Sequence, residues 1–107
     1  MSKAEMNTRL LGFLGLCKRA GALVCGTQMI CDALKENKPV CMVLMAKDVS
    51  ENTSKRLCDR CRYYGVRIER IEVSTSELAH AVGKSGELAA LAVTDKNFAA
   101  GLEKLLT

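Results

Sequence analysis

The residues with the clearest chemical potential are Gly26 and Thr27, which stand between a short apolar run and a helix-like pattern. Leu23 to Cys25 predicts a brief strand. Gly26 then supplies a turn, and the hydroxyl of Thr27 is a candidate helix cap. The start of a helix carries partial positive charge and free N–H donors. A helix that begins directly after a strand can therefore receive a phosphate group or the edge of a nucleobase.

Cysteine offers a second kind of chemistry, at Cys17, Cys25, Cys31, Cys41, Cys58 and Cys61. Cys58 and Cys61 have the spacing of half a zinc site or of a redox pair. A zinc site needs two further ligands, but the sequence contains a single histidine, His80. A redox pair is expected at a strand-to-helix turn, whereas this pair falls inside a predicted helix. We therefore predict reduced, mostly buried cysteines that behave as small apolar residues, with no metal and no cofactor.

Sequence motifs of catalysis are missing. The chain has no Gly-x-Gly-x-x-Gly, no phosphate loop ending in Gly-Lys-Ser/Thr and no Gly-x-Ser-x-Gly. His80 stands in an alanine-rich short helix without an evident partner, which favours a structural or exposed role. The sequence thus predicts a protein that is not an enzyme. A small nucleotide-binding enzyme stays open only because a three-layer fold can hold a ligand at its strand ends.

The elements that must position these residues alternate between helix and strand. Strands are predicted at residues 23–25, 40–46, 66–73 and 88–93. The second is apolar almost throughout, as expected for a strand covered on both faces. The third breaks strict alternation between Ile68 and Ile71, so it is bent, bulged or ends early. This pattern predicts one domain over residues 1–107, a three-layer α/β/α sandwich around a small mixed sheet of about four strands.

Helix starts and charged faces add detail to this prediction. Candidate N-caps are Ser2, Ser74 and Asp95, together with either Asp48 or Ser50 for the third helix. That helix carries a basic run away from its apolar face: Lys55, Arg56, Arg60 and Arg62. We interpret the run as a solvated helix face.

Net charge and hydropathy limit the class of protein. The formal charge of +4 permits a nucleic-acid partner without requiring one. No apolar run approaches the roughly 20 residues that a membrane span needs. The N-terminus lacks the succession of basic, apolar and small residues that forms a signal peptide. We expect a cytoplasmic protein without membrane contact.

A resemblance to a known family emerges between Lys18 and Val49. This stretch includes Lys-Arg-Ala-Gly-Ala-Leu-Val-Cys-Gly-Thr-Gln-Met and Met-Val-Leu-Met-Ala-Lys-Asp-Val. With Asp59-Arg-Cys-Arg-Tyr-Tyr-Gly-Val and Ala92-Val-Thr-Asp, it resembles the short bacterial branch of the L7Ae/L30e ribosomal protein family. The resemblance covers nearly all of the chain. It implies an L30e-like α/β/α sandwich and binding to kink-turn RNA, a sharply bent helix with tandem sheared G·A pairs.

The resemblance also implies which residues of the second helix read the RNA. In the archaeal pattern, glycine and threonine are followed by asparagine, glutamate, two residues and lysine, which contact guanine edges and phosphates. Gly26 and Thr27 match this pattern, and Gln28 keeps an amide that both donates and accepts hydrogen bonds. Met29 replaces the glutamate and cannot accept a guanine N–H. Asp32 replaces the lysine and would repel phosphate.

A second implied contact is the loop before the fourth helix, which would hold an extruded nucleotide. Its residues are Val73, Ser74, Thr75 and Ser76. Independently of RNA, Val73 suits a strand core and Ser74 an N-cap. Phosphate contacts, which steepen the salt dependence of binding, are expected from Lys18, Arg19, Lys47 and Lys84. The scarcity of aromatic residues argues against single-strand binding as the main activity.

The sequence therefore predicts a monomeric, non-catalytic RNA-binding protein that recognises kink-turn-type RNA, with the ribosome as a candidate partner. The alternative is a protein–protein interaction module of the same fold that has lost RNA binding, which the departures at Met29 and Asp32 would suit. Salt separates the two, because RNA binding weakens steeply as salt rises and an apolar interface does not.

Overall fold

The computed structural model describes residues 2–107, which form five helices and four strands. Their order is α1 (Lys3–Arg19), β1 (Leu23–Cys25), α2 (Thr27–Lys35), β2 (Met42–Met45), α3 (Glu51–Tyr64), β3 (Arg67–Arg70), α4 (Thr75–Ala81), β4 (Ala90–Val93) and α5 (Lys96–Leu106). The strands lie in the order β1-β4-β2-β3. Strand β4 runs antiparallel to β1 and β2, whereas β2 and β3 are parallel. The predicted mixed four-stranded sheet is confirmed.

The two central strands separate two hydrophobic cores. Met42 and Leu44 of β2 face a core shared with α1, α4 and α5, while Val43 and Met45 face a core shared with α2 and α3. Every residue of β2 and β4 is buried, because successive side chains of a strand point to opposite faces and both faces are covered. The three-layer α/β/α sandwich predicted from the sequence is therefore confirmed.

The second, third and fourth strands are all shorter than predicted; β2 spans Met42–Met45 within the predicted 40–46. Strand β3 ends at Arg70, and the break in alternation marks that end: Ile68 packs against the second core, while Ile71 and Val73 pack into the first. One further hydrogen bond, from Ile71 N to Met45 O at 2.9 Å, follows the strand before the chain leaves the sheet. Strand β4 likewise begins at Ala90, two residues later than expected.

Side chains cap four of the helices as the sequence indicates. Ser2, Ser50, Ser74 and Asp95 each accept a first-turn N–H of the helix that follows. Ser74 and Glu77 form a reciprocal capping box, in which each side chain bonds the other residue's backbone N–H. These caps fix where α4 begins, and therefore the shape of the loop before it.

All six thiols are free; Cys17, Cys31 and Cys61 are buried, and the others are half-buried. Burial is the largest cause that raises the pKa of Cys17 and of Cys61 to about 11. Within residues 2–107, no three His, Cys, Asp or Glu side chains are grouped to hold a metal ion. None of the described helices combines the length and apolar character that crossing a membrane requires.

Candidate functional site

The start of α2 depends on the backbone conformation of Gly26. Its φ of 100° and ψ of 145° lie in a region that residues with a Cβ rarely adopt. The Gly26 N–H donates to the carbonyl of Ala90 at 3.0 Å, which ties this corner to β4, and its carbonyl accepts from Ile30 N at 3.0 Å. Gly26 is therefore the N-cap residue. The prediction that Thr27 caps the helix is wrong, because Thr27 already lies in the first helical turn.

Helix α2 begins without a side-chain cap among the described residues. The N–H groups of Thr27, Gln28 and Met29 precede the first intrahelical hydrogen bond and lack an intrahelical partner. Both Gln28 and Met29 are exposed, Met29 to 59%. The α2 start thus offers backbone donors and a partial positive charge at an accessible surface.

The amide of Gln28 is held between two charged side chains. Its Nε2 donates to Asp32 Oδ1 at 2.9 Å, and its Oε1 accepts from Arg56 Nη2 of α3 at 2.7 Å. A guanidinium can only donate and an ionised carboxylate can only accept, so this arrangement permits one orientation of the amide. The sequence interpretation of Arg56 as part of a solvated face missed this contact, which only the packing of α3 against α2 creates.

The loops after β2 and β3 are joined at this same end of the sheet. Lys47 N donates to Val73 O at 2.9 Å. The carboxylate of Asp48 accepts from Thr75 N at 2.8 Å and from Thr75 Oγ1 at 3.1 Å. The hydrogen bond from Thr75 N is the first cause that holds the pKa of Asp48 below its ordinary value. Asp48 therefore serves α4, and Ser50 alone caps α3.

Arg70 adds a third long-range tie, which the sequence did not indicate. Its guanidinium donates from Nη1 to Lys47 O and from Nη2 to Ser54 Oγ, both at 2.9 Å. One side chain at the end of β3 thus fixes the loop after β2 against the first turns of α3.

Three of the four predicted phosphate-binding cations influence ionisable groups at this end of the sheet. Burial raises the pKa of Cys25, and the positive charges of Lys18 and Lys84 partly oppose this rise. The charge of Lys47 contributes to the lowered pKa of Asp48 and of Glu77. Lys18 and Arg19, in the last turn of α1, both line a shallow groove between α1 and α4, and no hydrogen bond or ion pair within residues 2–107 joins either of them to α2.

The loop before α4 presents a smaller surface than the sequence suggested. Val73 is fully buried in the first core, and the side chain of Thr75, 8% exposed, turns to Asp48. These two side chains therefore shape the loop from beneath, and contact of this loop with a nucleotide stays a prediction. Ser74 is half-buried by its capping role, which leaves Ser76 as the exposed side chain.

Fold and site together define a small α/β/α protein that presents an uncapped helix start beside two loops at one end of its sheet. Its family is shown by sequence: the chain belongs to the ribosomal protein L7Ae/L30e/S12e/Gadd45 family, whose model matches residues 8–103. The resemblance to L7Ae and L30e proteins is thereby confirmed.

Individual relatives agree with this assignment. The chain is similar to the RNA-binding protein YlxQ of Bacillus subtilis (strain 168), with 37% identity over 93 residues, covering 87% of this chain and 90% of the relative. It is 29% identical over 98 residues to the RNA-binding protein YlxQ of Enterococcus faecium, covering 92% and 91%.

Two solved structures share the fold. A protein of unknown function from Bacillus halodurans C superimposes with a TM-score of 0.80 and 29% identity, covering 90% of this chain and 94% of that one. The 15.5kD RNA binding protein of Giardia lamblia gives a TM-score of 0.77 over 95% and 85% of the two chains. At 17% identity, the second similarity shows the fold alone.

Proposed function

We propose that this protein binds RNA without catalysis and recognises kink-turn-type structured RNA through the start of α2. The observation that carries the proposal is the convergence at one end of the sheet of the uncapped α2 start, the Lys47–Asp48 loop and the Val73–Ser76 loop. Family membership and the relatives named as RNA-binding proteins support it. We further propose that it acts as a cytoplasmic monomer on ribosomal or ribosome-bound RNA.

Each part of the site has a proposed role. The free N–H groups at the α2 start and the amide of Gln28 meet a guanine edge and the adjoining phosphate. Lys18, Lys47 and Lys84 neutralise phosphates around it. Ser76 and the backbone of its loop lie against an extruded nucleotide, while Val73 supports the loop from the core.

The test is a titration of a generic kink-turn RNA at about 0.05 and 0.2 M salt. Over this range, an affinity that depends on phosphate contacts decreases steeply, whereas one that depends on other contacts changes little. One control is the same RNA with its G·A pairs replaced by Watson–Crick pairs, and the other is the Gln28→Ala protein. We expect tight, salt-sensitive binding that both controls weaken. Equal affinity for both RNAs would reduce the activity to nonspecific basic attraction.

One observation favours a second candidate function. Met29 is 59% exposed at the α2 start, where an apolar thioether suits a protein surface better than a phosphate. In this alternative the same face docks a partner protein. Its affinity would change little between the two salt concentrations, and the kink-turn RNA would fail to bind even at the lower one.

A further inference from the structure

The start of α2 lacks a cation of its own. Its first turn contains no acidic residue, and its only basic residue, Lys35, stands in the last turn. Asp32 adds a negative charge one turn into the helix. A phosphate at the α2 start is attracted by the helix dipole but meets no positive side chain on α2.

Arg56 brings a positive charge to this place from the neighbouring helix. Its Nη2 lies 2.7 Å from Gln28 Oε1, so the guanidinium is one hydrogen bond from the proposed reading side chain. We propose that Arg56 is an RNA-binding residue that neutralises a phosphate beside the α2 start, and that Gln28 and Asp32 hold it in place. This inference rests on the proposed function, since it adds a contact to the same site.

The guanidinium has the free donors that such a contact requires. Arginine has five N–H groups, and the hydrogen bond to Gln28 uses one of them. No carboxylate among residues 2–107 forms an ion pair with Arg56, and its side chain is exposed. A planar guanidinium held at one corner can present two parallel N–H groups to a phosphate.

Asp32 is a positioning residue in this arrangement. Its Oδ1 accepts from Gln28 Nε2 at 2.9 Å, which turns Gln28 Oε1 toward Arg56. The carboxylate therefore has two opposite effects on RNA: its charge repels phosphate, and its hydrogen bond orients the side chain that holds the arginine. Substitutions of Asp32 can separate these effects.

Arg60 provides a matched control for Arg56. It lies one helical turn further along α3, is exposed and carries the same charge, and it has no hydrogen bond to α2 within the described residues. With the kink-turn RNA as probe, we expect Arg56→Ala to weaken binding about 10-fold and to reduce the slope of log K against log salt by about one. Arg60→Ala should change the affinity less than about two-fold. Arg56→Lys should fall between, because a lysine keeps the charge but loses the paired donors.

The Asp32 variants test the positioning role by conservative rescue. In Asp32→Asn the amide oxygen still accepts from Gln28, so we expect affinity equal to or above wild type. In Asp32→Ala the hydrogen bond is lost, so we expect weaker binding although a negative charge has been removed. Equal improvement in both variants would show that Asp32 acts by charge alone and would overturn this role.

The outcomes distinguish the inference from the function on which it rests. If the wild type binds and Arg56→Ala and Arg60→Ala weaken binding equally, the inference is overturned and RNA binding stands. The same holds if neither substitution changes the affinity. Absence of wild-type binding at low salt would overturn the proposed function and the inference together. Thermal unfolding of each variant identifies any loss of affinity that reflects misfolding, since none of these side chains belongs to either hydrophobic core.

Discussion

Replacing Gly26 with alanine isolates the contribution of one backbone conformation. The residue has φ 100° and ψ 145°, and a Cβ built on it meets no atom within 4 Å. The substitution therefore introduces backbone strain without a side-chain clash. Strain in this region costs of order 1–3 kcal/mol, and alanine recovers up to about 1 kcal/mol by restricting the unfolded chain.

We therefore expect Gly26→Ala to lower the free energy of unfolding by about 1–2 kcal/mol, which shifts the Tm of a chain this size downward by several degrees. Urea and thermal unfolding, followed by circular dichroism, measure the change. Gly12→Ala is the matched control, because Gly12 lies within α1, is exposed and also has open space around a built Cβ. There alanine should raise stability by up to about 1 kcal/mol.

Opposite signs for these two substitutions are the essential result. If Gly26→Ala is as stable as the wild type, the backbone strain expected at the N-cap is refuted. A loss of similar size in Gly12→Ala would show that alanine is poorly tolerated for a reason unrelated to φ. Either result would contradict the assignment of the stability loss in Gly26→Ala to its positive φ.

Two further predictions concern charge at the site. Met29→Glu places a carboxylate in the first turn of α2, where the helix dipole favours it by about 0.3–1 kcal/mol, so we expect a raised Tm. The carboxylate also gives a guanine N–H an acceptor, so we expect about 10-fold stronger discrimination between the kink-turn RNA and its Watson–Crick control. Unchanged discrimination would place the guanine edge away from residue 29. Backbone hydrogen bonds lower the pKa of Asp48 and that of Glu77 below their ordinary values. Both carboxylates therefore stabilise the fold at neutral pH and lose that contribution as the pH falls through their lowered pKa values. The urea midpoint of the wild type should therefore stay level near neutral pH and decrease below about pH 4. The midpoint of Asp48→Asn should be lower than that of the wild type at pH 7 and should decrease less steeply with falling pH. Parallel curves for the two proteins would contradict a role of Asp48 in this pH dependence.

Local sequence patterns were sufficient to predict the layers of the fold. The apolar runs that become β2 and β4 predicted strands, with β2 buried on both faces, and the cap residues Ser74 and Asp95 located two helix starts correctly. Strand ends were less accurate, because Ile71 and Val73 are as apolar and β-branched as strand residues and yet pack into the core beyond the sheet. Only the arrangement of neighbouring strands determines where that pairing stops.

The contacts that build the candidate site could not be read from local patterns. Arg56 reaches Gln28 across 28 residues, Asp48 reaches Thr75 across 27, and Arg70 reaches Lys47 O across 23. In the sequence these side chains look like ordinary charged residues on helices, caps and an edge strand. Their partners follow from how α3 packs on α2 and how β3 lies beside β2, which the hydrophobic cores decide.

These three long-range ties give the site a different sensitivity from that of the core. The buried residues on either side of the sheet determine whether the chain folds, whereas polar side chains at its edge determine how the loops and the α2 start are oriented. Because each tie consists of one or two hydrogen bonds that are exposed or only partly buried, each of these bonds contributes about 1 kcal/mol net to stability. Substitutions of Arg56, Asp48 or Arg70 should therefore alter the geometry of the site in a protein that stays folded, which makes affinity a more sensitive measure of them than unfolding.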